Sequence, residues 1–132
     1  MSLPALDPVD IAEALAGVTE HWSPRVVGRV NDQYVKVAKL LGEFVWHAHD
    51  QEDELFLVVK GELRIQLEGA REVTLPTGGF FVVPKGVRHN PIAEEEVHVV
   101  LIETVTTAHT GDVVTERTRS LDEQLGDAGA AR

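Results

Sequence analysis

The sequence predicts an all-β fold, a sandwich or barrel entered through one short helix and left through a polar tail. Three observations carry this expectation. Short apolar or alternating runs from Trp22 to about Thr115 are separated by turns bearing Gly or Pro, a spacing that suits a sandwich or barrel rather than βαβ units. His47 and His49 stand two apart, which on a strand puts both rings on one face about 7 Å apart, whereas histidine pairs on helices use i,i+4 spacing. At 132 residues the chain suits one domain, able to bury roughly two-thirds of its unfolded surface around a single core.

The elements follow in order. Asp7-Pro8 to Gly17 reads as the helix, with Asp7 as N-cap, Pro8 in the first turn, Ile11 and Leu15 as its apolar stripe and Gly17 as its stop. Val26–Val30, the turn Asn31-Asp32, and Tyr34–Leu41 form a hairpin. Leu55–Val59 is apolar throughout, as a strand covered on both faces would be. After Lys60-Gly61-Glu62, the run Leu63–Glu68 alternates apolar and polar and should keep one wet face. Gly69, Pro76, Gly78 and Gly79 punctuate the next strands, and Phe80–Val83 and Val97–Ile102 are two further apolar runs. The expected organisation is an N-terminal arm over 1–20, a barrel over 21–118 and a tail over 119–132. Its end, from Gly126, is expected to be disordered and flexible. Met1-Ser2-Leu3 is set aside as a possible leader.

Composition excludes several classes. A formal charge of -10 with no Lys/Arg cluster argues against nucleic acid. No apolar stretch reaches the roughly 20 residues of a membrane span, and no signal peptide is readable. Cysteine is absent, which removes disulfides and thiolate ligands and suits a reducing compartment. A soluble, cytoplasmic protein is the expectation.

The chemistry concentrates at four residues. His47 and His49 can converge on one cation about 2.0–2.1 Å from each ring nitrogen. Glu54 follows at the start of the next strand, and His89 stands far along the chain. Three neutral imidazoles and a carboxylate leave a divalent ion at net +1. In octahedral geometry two positions stay open for water, O₂ or substrate. Fe, Mn, Ni and Zn all tolerate such a set.

At these residues the chain resembles the cupin superfamily. Its first motif, G-x5-HxH-x3,4-E-x6-G, is met from His47-Ala48-His49 through Glu54 to Gly61, with Gly42 one residue too close. Its second, G-x5-PxG-x2-H-x3-N, is met by Gly78, Pro84, Gly86 and His89, with Ala93 where the pattern has Asn. The 16 residues between the motifs, Glu62 to Thr77, are similar to the spacing of small single-domain bacterial cupins. Tyr34-Val35-Lys36-Val37, Phe80–Gly86 and Thr110-Gly111-Asp112-Val113 resemble the group labelled cupin 2 or "mannose-6-phosphate isomerase-like". The resemblance, over roughly Tyr34 to Thr118, implies an RmlC-like double-stranded β-helix (jelly-roll barrel), a divalent metal on His47, His49, Glu54 and His89, and a homodimer. It implies no substrate.

Other residues divide between roles. By strand parity Val45 shares the face of His47 and His49, Phe56 and Val58 share that of Glu54, and Val87 that of His89. These apolar residues, with Tyr34 and Lys36 as further candidates, would line a small substrate pocket. Trp46 points the other way, toward packing or a partner. Asp50, Glu52 and Asp53 read as a solvated turn, Lys85 and Arg88 as rim charges, His98 as a core or interface histidine, His21 as structural and His109 as a surface loop residue. The expected function is binding or transforming a small polar molecule at the metal, in the manner of a dioxygenase, isomerase or lyase. The alternative is a non-catalytic binding protein with a structural or accessory metal. No catalytic residue beyond the metal set is identified: there is no nucleophile elbow and no phosphate loop.

Overall fold

The structure, a computed structural model, describes residues 7–126. The Met1-Ser2-Leu3 leader, and the disorder expected of the final residues 127–132, lie outside the described residues. The first helix, α1, spans Ile11–Ala16, and its N-cap is Asp10 rather than Asp7. An N-cap oxygen accepts the N–H two or three residues further on, and Asp10 Oδ1 takes the Glu13 N–H at 3.0 Å. Pro8 stays ahead of the helix, and Gly17 ends it as expected.

Seven strands follow: β1 (Arg25–Val30), β2 (Gln33–Glu43), β3 (Glu54–Lys60), β4 (Leu63–Leu67), β5 (Arg71–Leu75), β6 (Phe80–Val83) and β7 (His89–Thr104). β1 and β2 form the expected hairpin through Asn31, which takes φ +50, and Asp32. All named pairings are antiparallel, in the order β1-β2-β7-β3-β6 with β4 and β5 attached through β7. The 16-residue β7 closes the barrel. Its first part pairs with β4 (Leu67↔His89 to Arg64↔Ile92), and its second runs between β2 and β3. Glu94, Glu95 and Glu96 lie exposed where it passes from one neighbour set to the other.

Strand alternation sorts the core into an inside and an outside. Ala38, Leu40, Phe56, Val58, Leu63, Ile65, Val97, Val99 and Leu101 fill the barrel interior, where fully burying a side chain of this size is worth about 1.5–3 kcal/mol. Val37 and Val100 point outward and pack under α1 through Leu15 and Val18, with Leu57 and Val59 half-buried beside them. β3 is thus covered on both faces, the outer one less tightly. β6 departs from its apolar appearance. It is an edge strand, so Phe80 is 62 % exposed and Val82 40 %.

A second helix, α2 (Leu121–Leu125), lies within the stretch read as tail. Ser120 and Glu123 form a reciprocal capping box, and buried Leu125 joins Val26 and Tyr34 in a separate apolar cluster.

Candidate metal centre

Phe44 to Ala48 form no regular strand; only His47 makes a bridge, to His89. His47 N–H donates to the His89 carbonyl at 3.0 Å and His89 N–H to the His47 carbonyl at 2.8 Å. Because the segment is irregular, period-two alternation fails there: Ala48 is buried along with the histidines on either side. A loop from the far end of the chain explains this. Asp112 N–H donates to the Ala48 carbonyl at 3.0 Å, and Asp112 Oδ1 accepts the Ala48 N–H at 3.0 Å. Gly111, at φ +59, lies so close that a Cβ there would stand 2.1 Å from the Ala48 oxygen.

His47, His49, Glu54 and His89 converge as a buried group whose candidate ligand atoms lie within 4.8 Å of one another. The Nδ1–H groups of His47 and His89 donate to the Val45 and Val87 carbonyls at 2.9 and 3.0 Å. Such bonds set the tautomer and leave Nε2 as the free ligand atom. Glu54 Oε1 lies 3.4 Å from both His49 Nε2 and His89 Nε2, long for hydrogen bonds. Among the described residues these three atoms find no hydrogen-bond partner. A buried polar atom left so costs about 1–3 kcal/mol, and a shared divalent cation would satisfy all three at once. Imidazole and carboxylate donors fit a divalent transition metal.

The charges around this group are balanced from behind. Glu103 stands opposite Glu54 in the β3–β7 register, and its Oε1 lies 2.5 Å from Lys36 Nζ, with both side chains at most 3 % exposed. Lys36 also donates to Gln124 of α2. Burial, then the Glu54 charge, pushes the Glu103 carboxyl well above its usual range. Burial acts the same way on Glu54, but the neighbouring Glu103 carboxyl and the His49 and His89 rings overcome it and hold Glu54 well below. Burial, then His89, lowers His47 to about 4. Burial also pulls on His49, yet the adjacent Glu54 carboxylate raises it above its ordinary value.

Beside the group lies a small pocket with a cavity volume of about 30 Å³. Phe56 lines it, together with Trp22, Phe44, His47, Glu54 and His109. The other five expected residues, Val45, Val58, Val87, Tyr34 and Lys36, are not among its lining. Val45 offers its carbonyl to His47 instead, since the irregular backbone turns Phe44 inward in its place. Val58 is sealed in the barrel core and Val87 packs against it. Tyr34 belongs to the cluster with Leu125. Lys36 does point inward, but to Glu103.

His109 is a correction: expected on the surface, it lines this pocket, because Arg119 N–H holds its ring inward by a bond to Nδ1 at 2.8 Å. His98 is half-buried and pairs with Glu96, as His21 does, each at 2.8 Å. Trp46 is 38 % exposed. Of the acidic turn, Glu52 accepts from Thr106 and Asp53 from the Lys85 N–H. Arg88 reaches Asp112 at 3.3 Å, so it braces the clamping loop. Ala93, in the place of the motif asparagine, is fully buried among apolar side chains, where an amide would lack water.

The family model for the cupin domain matches residues 34–105. The chain belongs to the cupin family. Its jelly-roll is similar to that of a cupin-2 domain protein from Shewanella frigidimarina, at 41 % identity and TM-score 0.70, over 73 % of this chain and 93 % of that one. It is also similar to protein NMB1881 from Neisseria meningitidis, at 31 % identity and TM-score 0.70, over 74 % and 99 % of the two chains. The Bacillus subtilis protein YdbB is 38 % identical over 63 residues, 48 % of this cupin and 56 % of that relative's length. This is a small bacterial cupin with a buried His-His-Glu-His group able to hold a metal ion. No helix among the described residues is long and apolar enough to cross a membrane.

Proposed function

We propose that this cupin holds one divalent transition metal on His47, His49, Glu54 and His89, and there binds and transforms a small oxygen-bearing molecule as a dioxygenase, isomerase or lyase. One observation carries the reading: three of the four converging side chains present buried atoms that have no other partner among the described residues. When bound, the metal supplies Lewis acidity and, if redox-active, access to O₂ chemistry. The chain's own residues do the rest. The Val45 and Val87 carbonyls orient His47 and His89, Glu103, His49 and His89 hold Glu54 toward its ionised form, and Phe44, Trp22 and Phe56 exclude water from one side. The test is elemental analysis of tag-free protein. About one equivalent of Fe, Mn, Ni or Zn per chain is expected, and H47A/H89A should lose it. A full complement retained by that variant would refute the assignment.

Turnover is tested by oxygen uptake of the iron form and by product analysis with small acids, sugars and phenols. Metal binding without turnover of any of them would favour a non-catalytic binding protein. We also propose a homodimer, supported by the exposed Phe80 and Val82 on the β6 edge. Light scattering at the mass of one chain would remove it. A cytoplasmic location suits the absence of cysteine, and fractionation tests it.

A further inference from the structure

The pocket beside the metal group contains one polar side chain that the reading above leaves without a task. His47 and Glu54 belong to the ligand set; His109 does not, yet it forms part of the wall. Everything else on that wall is apolar, with no lysine, arginine, hydroxyl or amide side chain among the lining residues. A ligand entering here meets hydrocarbon, the metal group and one imidazole.

That imidazole is fixed in position and in tautomer. Arg119 N–H donates to Nδ1 at 2.8 Å. A nitrogen that accepts cannot carry the ring hydrogen, so the hydrogen sits on Nε2. Phe44 flanks the ring, with centroids 5.4 Å apart, and sets its edge against His47 at 5.6 Å. Trp22 stacks on Phe44 at 4.5 Å and 8°. The aromatic array leaves His109 little freedom and spans from the pocket's wall to a candidate ligand. Burial, then the charge of Lys36, holds the ring's pKa down to about 4, so at neutral pH it is an uncharged donor.

We infer that His109 is the ligand-positioning residue of this pocket, its Nε2–H donating to an acceptor oxygen of a compact, mainly apolar molecule whose other oxygen reaches the metal group. The inference rests on the metal assignment made above. It deepens that assignment by giving the ligand a class. One neutral donor and hydrocarbon walls suit a carbonyl or a single carboxylate beside a short branched tail. They offer nothing to a phosphate, which is bound through Arg, Lys or clustered N–H groups.

The experiment uses tag-free protein loaded with Co(II), whose visible spectrum reports both the metal and any ligand placed on it. The probes are 2-oxoisovalerate, with adjacent oxygens and a branched tail, and fructose 6-phosphate. The variants are H109F, which keeps a ring and removes the donor, and H109Q, which keeps a donor. Wild type should change its spectrum with 2-oxoisovalerate and show no saturable response to fructose 6-phosphate. H109F should keep its Co(II) and its ligand-free spectrum but bind 2-oxoisovalerate about tenfold more weakly, the scale of one lost hydrogen bond. H109Q should stay within about threefold of wild type.

Equal binding by H109F and wild type, with Co(II) in both, overturns the role of His109 and leaves the metal site standing. So does no response of the wild-type Co(II) protein to 2-oxoisovalerate, or a tighter response to the phosphorylated sugar. Failure of wild type to take up Co(II) is a different result: it removes the metal site, and this inference goes with it.

Discussion

Glu54 and Glu103 face one another across β3 and β7 as direct register partners, both buried, with Lys36 behind Glu103. Two like charges opposite each other in a sheet repel, and in a buried site they cannot both ionise at neutral pH. The opposite displacements of the two carboxyls resolve the conflict: Glu54 is held toward its ionised form and Glu103 toward its protonated one. The pair then carries one negative charge, which the Lys36 ammonium offsets. Glu54 is ionised in advance of any cation.

Substitutions should follow this charge count. E103Q preserves a neutral donor opposite Glu54 and is expected to cost about 1 kcal/mol. K36M leaves a buried negative charge without its partner and is expected to cost about 3–5 kcal/mol. Urea unfolding of the three metal-free proteins distinguishes them. A K36M variant as stable as E103Q would show that the lysine is not balancing the pair.

Acidification should destabilise the metal-free protein through His47. Its ring titrates near 6.5 when unfolded and at about 4 when folded. Between those values the unfolded chain binds more protons, so stability falls as pH falls from 6.5 to 4, by about 3 kcal/mol, and no further below. His49 acts in the opposite sense. Its raised pKa adds stability below its unfolded value, and this is lost as pH rises through the folded one. Replacing His47 with Phe should therefore flatten the acid limb of a melting-temperature profile. An unchanged limb would place the acid sensitivity elsewhere. In the loaded protein the rings must be neutral to ligate, so metal should leave as pH falls through about 6.

Chelation should lower the melting temperature without unfolding the barrel. The interior cluster is built from residues outside the four-residue group, except where Phe56 and its neighbours touch it. Metal present at 100 times its Kd contributes about 2.7 kcal/mol, which for a domain of this size is a shift of about 10 °C. Circular dichroism before and after EDTA measures this. Loss of the β-spectrum on chelation would make the metal a folding determinant.

What was readable in advance and what was not have one physical cause. His47, His49, Glu54 and Gly61 sit within one short stretch whose spacing carries its own chemistry, and the Asn31-Asp32 hairpin and the alternation of β4 are equally local. The Glu54–Glu103 pair and the Lys36–Gln124 bond join residues far apart, brought together only by strand register and the docking of α2. His109 gave no signal because its inward pose depends on the Arg119 backbone. Strand parity does not predict the place of Val45, because the chain is irregular there. The helix α2 did have a local sign, the Ser120 and Glu123 spacing of a capping box.

The loop from Thr110 to Asp112 gives the last prediction, since it grips the irregular segment that parity could not describe. Both backbone groups of Ala48 are bonded to Asp112, and the Ala48 N–H, with Arg88 nearby, holds that carboxyl below its usual range. Gly111 permits the approach: its φ of +59 disfavours any side chain, and a Cβ would meet backbone, which cannot rotate away. G111A should therefore destabilise the protein by more than about 2 kcal/mol and loosen the aim of His47 and His49. The informative measurement is metal affinity at a temperature where the variant is fully folded. A weakening of about 10–100-fold is expected, the scale seen when groups that orient ligands are lost. D112A removes the side-chain half of the clamp without backbone strain and should weaken affinity in the same direction, by less. Wild-type affinity in both variants would mean that His47 and His49 are aimed by the His89 bridge alone.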